Sequence, residues 1–115
     1  MDIRIIDSNV TFKELVAISC NQFGNLVKAV VDVENEIMAI GGDLHADEEA
    51  VLLEKGAKQK DLWGINLYPD ASKEDWIEFD SMINIRPSQN NRSRDVEDPK
   101  TKEQIITIVQ KLVQR

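Results

Sequence analysis

The chain is short of the residues that staple or punctuate small proteins. Its 115 residues include one cysteine, one histidine, one tyrosine, three prolines and five glycines. A lone thiol, Cys20, excludes an internal disulfide and suits a reducing cytosol. Its place in an apolar helical stretch predicts a small buried side chain rather than a reactive one. No apolar run approaches the ~20 residues needed to cross a bilayer. At the N-terminus, Asp2, Arg4 and Asp7 interrupt every run before it reaches the length of a signal-peptide core, so no membrane association is expected. No HExxH or paired-cysteine metal motif occurs, nor a GxSxG elbow, nor a phosphate-binding glycine loop. Positive charge is also scarce: the net charge is −7, which opposes any general affinity for nucleic acid.

What remains is an ordinary globular balance, 42% hydrophobic and 30% charged, without repeats or low-complexity tracts. The length predicts one domain over residues 1–115, able to bury roughly 65% of its unfolded surface without disulfide or metal. Thr11-Phe12-Lys13-Glu14 reads as a capping box opening a helix that presents Phe12, Leu15, Val16, Ser19, Cys20 and Phe23 and stops at Gly24. Ile3 to Ile6 is a short edge strand. The valine-rich segment from Leu26 to Val33, followed by Ile37 to Ile40, has hairpin spacing. Gly41 and Gly42 release the chain into a second helix with Asp47, Glu48 and Glu49 in its first turn and Gly56 at its end.

Leu62 to Tyr68 reads as a strand, and Trp76 to Arg86 as a long one. In the latter, Ile77, Phe79, Ser81, Ile83 and Ile85 alternate with Glu78, Asp80, Met82, Asn84 and Arg86. Asn66 and Tyr68 are placed to join that polar face. Asp98-Pro99 is an N-cap with proline at the first helical position, opening an apolar-striped helix with Lys111 and Arg115 near its negative end. The expected fold is α+β: a mainly antiparallel sheet of four or five strands, with about three helices packed on one face.

Charge is unevenly spread. "RPSQNNRSR", residues 86–94, holds three of the five arginines, so the rest of the chain sums to −10. Arg86, Arg92 and Arg94, with Ser88, Gln89 and Asn91 assisting, form a candidate cradle for a phosphate or carboxylate. The rival reading pairs these arginines with the protein's own Asp95, Glu97 and Asp98, which complete a basic-then-acidic loop over 86–98. Asp43, His45 and Asp47 recur at every second residue, a weak metal-ligand pattern if the segment is extended. His45, Asp47 and Asp80 are the candidate acid-base groups, on condition that the helix start lies close to Asp80 or Arg86. Ser81, expected on the face opposite Asp80, counts against a Ser-His-Asp arrangement. Trp63 and Trp76 are expected in the core.

The stretches "GGDLHADEEAVLLEKG", "DLWGINLYP" and "FDSMINIRPSQNNRSR" resemble a family of short bacterial and archaeal proteins catalogued as a domain of unknown function. The likeness runs from about Leu26 to the last helix. It implies a small stand-alone cytosolic protein and transfers no catalytic residue or cofactor. The sequence thus favours a small cytoplasmic binding module for an anionic small molecule, expected as a homodimer because a one-sided sheet leaves a face to cover. Alternatives are a metal-dependent or acid-base hydrolase of a phosphorylated small substrate, and a protein-interaction domain without a small ligand.

Overall fold

The computed structural model describes residues 3–114. In it the chain forms β1 (Arg4–Ile6), β2 (Val10–Thr11), α1 (Phe12–Asn21), β3 (Val27–Asp32), β4 (Ile37–Ile40) and α2 (His45–Glu54). Then follow β5 (Leu62–Leu67), β6 (Ile77–Glu78), α3 (Pro99–Leu112) and β7 (Val113–Gln114). Asp2 and Arg115 lie outside the described residues. Five strands make an antiparallel sheet in the order β1-β4-β3-β5-β6, and β2 pairs with β7 in parallel beside it. The fold is α+β, as expected.

Local chemistry sets the element ends. Thr11 Oγ1 accepts from the Glu14 amide at 3.1 Å while Glu14 reaches back to the Thr11 amide at 3.3 Å, a complete capping box. Gly24, at φ +90°, closes the end of α1 with its N–H on Ser19 O at 2.6 Å. In the β3–β4 turn, buried Asp32 accepts from the amides of Glu34 and Asn35, both at 3.1 Å. Asp98 caps α3, accepting from the Lys100 amide and the Thr101 hydroxyl.

The central strand β3 is buried on both sides, and the helices divide accordingly. Val27, Ala29 and Val31 pack with Leu15 of α1 and with Ile105, Ile108, Val109 and Leu112 of α3; Trp63 and Trp76 lie in this cluster as expected. Val30, on the other face, meets Ala39, Leu62 and Leu52 of α2. The second face is therefore covered by α2 from the same chain, and the sheet alone no longer argues for a partner. Among the described residues no helix is long and apolar enough to cross a membrane.

Two expectations need correcting. Cys20 is exposed. The α1 face turned inward carries Leu15 and Ser19, and Ser19 satisfies its hydroxyl on Val16 O at 2.8 Å, leaving Cys20 one position further round. The strand expected from Trp76 to Arg86 ends at Glu78; Met82–Asn84 and Pro87–Gln89 are 3-10 turns. Its period-two pattern does not describe burial, since Asn84 is 0% exposed and Ile85 39%. The reason is that β6 covers the outer edge of β5 only at Asn66 and Leu67. Further along that edge, side chains take the place of a strand. Asn84 Oδ1 accepts the Gly64 N–H at 2.8 Å and Asn84 Nδ2 donates to Gly64 O at 2.9 Å.

This edge closure requires glycine at 64. A Cβ there would lie 2.6 Å from both Cβ and Oγ of Ser81 and 3.2 Å from Cδ2 of His45. Gly64→Ala is expected to cost about 1–3 kcal/mol by overpacking, measured by urea unfolding. Adding Ser81→Gly is expected to restore most of it.

Candidate functional site

The loop at 86–98 is held by its own polar atoms. Arg86 is buried, and its guanidinium donates to the carbonyls of Gln59, Leu62 and Ile83 and to Gln89 Oε1, with its carbon 4.3 Å from the Trp63 ring centre. Burial pulls its pKa down, opposed by the more distant charges of Glu49 and Asp61. Arg86 is thus not a strand-anchored arm reaching outward: the chain is out of the sheet there and the side chain turns in, under β5. Asn91 is buried too, donating to Asn84 O and Asp95 O, both at 2.7 Å, and accepting from the Glu97 amide at 2.8 Å. Gln89 donates to Lys60 O at 3.0 Å.

The anion in this loop belongs to the protein. Glu97 Oε2 accepts from the Ser93 hydroxyl at 2.7 Å and from the amides of Ser93 and Arg92 at 2.8 and 2.9 Å. Those bonds, the Ser93 hydroxyl first, hold its carboxyl below the usual range. Ser88 and Arg92 are exposed, and the Arg92 side chain has no ion pair among the described residues. Arg94 lines a cavity. Its Nε pairs with Asp80, which leaves the two terminal guanidinium nitrogens without a protein partner among the described residues.

That cavity is a cleft of about 250 Å³ between the start of α2 and the 80–84 segment. Lys28, His45, Asn66, Asp80, Ser81 and Arg94 supply its polar groups. Leu26, Leu44, Met82 and Ile83 supply apolar walls. Ser81, expected opposite Asp80, joins it because the strand alternation fails here; its Oγ accepts from the Ile83 amide at 3.3 Å and makes no hydrogen bond to His45. The His45 ring lies 2.8 Å from Ile65 O through Nε2, so Nε2 carries the proton and Nδ1 is the free acceptor. Burial lowers its pKa and Lys28 adds to the lowering, while the Ile65 carbonyl, a hydrogen bond with Asn66 and the charge of Asp80 oppose it; the net lowering favours the neutral ring. Asn66 donates to Glu78 Oε1 at 2.8 Å and to Asp80 O at 3.3 Å. Tyr68 donates to the same Glu78 oxygen at 2.9 Å, so Asn66 and Tyr68 share a polar face as expected.

The cleft also receives a bare helix end. The N-cap of α2 is Leu44, which has no side-chain acceptor, so among the described residues the amides of His45 and Ala46 are left uncapped where those residues line the cavity. The cleft brings His45, Asp80 and Arg94 into one lining; the proximity condition asked the same of Asp47, which does not join them. Asp43 and Asp47 are not among the lining residues, and both are exposed. The every-second-residue pattern fails because His45 onward is helical, where alternate residues point to different sides. Among the described residues no three His, Cys, Asp or Glu side chains gather to hold a metal ion. Lys28 was a readable signal, the one basic residue in a valine-rich central strand; Leu44 and Met82 gave none, because the loops that place them cannot be read from periodicity.

A larger cavity of about 640 Å³ lies near the start of α3. Four carboxylates, Glu34, Asp61, Glu97 and Asp98, face one lysine, Lys60, around it, so it repels anions.

The chain matches the family described as "Protein of unknown function (DUF5674)" over residues 4–112, and belongs to it. No curated protein and no solved structure shows significant similarity to it.

Proposed function

We propose that the protein is a small binding module for an anionic small molecule, held in the cleft between α2 and the 80–84 segment. The single observation behind this is that Arg94, its Nε on Asp80 and its terminal nitrogens without a protein partner among the described residues, lines a cavity that Lys28 and the start of α2 also line. The recognition first sought across the whole loop is thereby narrowed to one of its arginines. The reducing cytosol is its proposed compartment, since exposed Cys20 would invite intermolecular pairing elsewhere.

The test is stabilisation and calorimetric binding of sulfate and acetate to the parent and to Arg94→Ala. Losing a charge-assisted pair is expected to weaken binding about 10- to 100-fold, while Arg92→Ala leaves it unchanged. Equal binding by Arg94→Ala and parent would sink the proposal. The hydrolase alternative is favoured by one fact, that His45 and Asp80 line the same cleft. Turnover of p-nitrophenyl phosphate by the parent and not by His45→Gln decides for it.

A further inference from the structure

The walls of the cleft say what kind of anion it suits. Resting on the anion-binding reading, we infer that the ligand is a free α-amino acid with an apolar side chain, its carboxylate on Arg94 and the α2 amides, its ammonium on Asn66 and Asp80, and its side chain between Leu44 and Met82. Four observations support this assignment.

The fixed charges are Lys28 and Arg94 against Asp80, so both signs are present in one small space. A plain monoanion uses only one of them, whereas a zwitterion uses both. Asp80 gives one carboxylate oxygen to Arg94, and its second has no hydrogen-bond partner among the described residues. Asn66 is 8% exposed, and its amide orientation is set by the two bonds its Nδ2 donates. Its buried Oδ1 lies within reach of the His45 ring, where it favours the protonated form, but the neutral ring has its one N–H on Ile65 O, so among the described residues a buried acceptor is left that calls for a donor. An anion cannot satisfy that acceptor; an ammonium beside the carboxylate can.

Leu44 and Met82 are the third observation. They are 55% and 65% exposed at the mouth of the cleft, where they meet solvent with apolar surface. The fourth is size. A cavity of about 250 Å³ lies below the ~300–1,000 Å³ typical of drug-sized ligands, which fits a single amino acid and not a nucleotide.

Calorimetry on the intact protein with leucine, glycine, 4-methylpentanoate and leucinol tests this. Leucine is expected to bind at least tenfold more tightly than 4-methylpentanoate, which lacks the ammonium, and than leucinol, which lacks the carboxylate. Met82→Ser, at an exposed site that leaves the fold intact, is expected to weaken leucine about fivefold and glycine not at all. Binding of 4-methylpentanoate or leucinol as tight as that of leucine overturns the inference. So does leucine affinity untouched by Met82→Ser. If sulfate and acetate bind through Arg94 and leucine does not bind, the amino-acid assignment fails and the anion site stands; if none of them binds, both fail.

Discussion

Glu48→Gln is expected to stabilise the protein at neutral and alkaline pH while changing little below pH 5. Glu48 is wholly buried on the inner side of α2, with Oε2 accepting the Gly42 N–H at 2.9 Å and Oε1 without a partner among the described residues. Burial raises its pKa from 4.5 to about 9; the Gly42 amide and the charge of Lys28 oppose the rise and Asp47 adds to it. Between those two values the folded chain keeps a proton that the unfolded chain has released. Stability from this group is therefore fully present below about pH 4.5 and is lost as pH rises toward 9. At about 1.4 kcal/mol per pH unit, the loss by pH 7.5 is on the order of 4 kcal/mol, an upper bound because water reaching the carboxylate relieves part of it. Glutamine has no proton to lose and keeps an acceptor for Gly42. Urea unfolding at pH 5, 7 and 8.5 checks this: the variant's advantage must grow with pH, and parallel curves for the two proteins would falsify the buried-acid account.

Glu48 also shows where sequence reading stops. Asp47, Glu48 and Glu49 read as one acidic first turn favoured by the helix dipole, and α2 does start there. Nothing in that run says that the middle carboxyl faces the sheet and is 0% exposed while Asp47 faces water. The elements whose ends carry local chemistry were legible: the Thr11 capping box, the Asp98-Pro99 start, the β3–β4 hairpin. Those depend on residues within a few positions of one another. The segment after β6 was not legible, because its path is fixed by partners far along the chain. Asn84 pairs with Gly64, Ser81 with Arg94 and Arg86 with Gln59 and Leu62, and none of these leaves a periodic trace.

The same distinction settles which arginines of the 86–94 loop were readable. Composition marked all three as anion-seeking groups, and charge alone cannot tell a guanidinium aimed at solvent from one aimed at backbone. Arg94 reaches the cleft because Asp80 precedes a loop that folds back on it, with the Ser81 N–H on Arg94 O at 3.1 Å. His45 and Asp80 were singled out by residue type, and that both line one cleft depends on that same fold-back.

Arg86→Ala is expected to be the most damaging change in the loop, with no ligand involved. The side chain donates to three main-chain carbonyls and one side-chain amide, and lies over Trp63. Its removal leaves the buried carbonyl of Leu62 and the part-buried carbonyls of Ile83 and Gln59 short of donors, at about 1–3 kcal/mol each where water cannot reach. It also forfeits a cation–π contact of about 1 kcal/mol and opens a space under the end of β5. No carboxylate forms an ion pair with Arg86 among the described residues, so no buried counter-charge is stranded, and the total stays near 4 kcal/mol. For a domain of this size that lowers Tm by roughly 15 °C. Arg86→Lys keeps the charge and loses the planar fork that serves several acceptors at once, so it is expected to recover less than half of the stability. Arg92→Ala, at an exposed position, is expected to stay within about 0.5 kcal/mol of the parent. Thermal and urea unfolding of the three variants decide the point: if Arg86→Ala is as stable as Arg92→Ala, the guanidinium is not what closes the edge of β5, and it returns to the pool of groups free to bind a ligand.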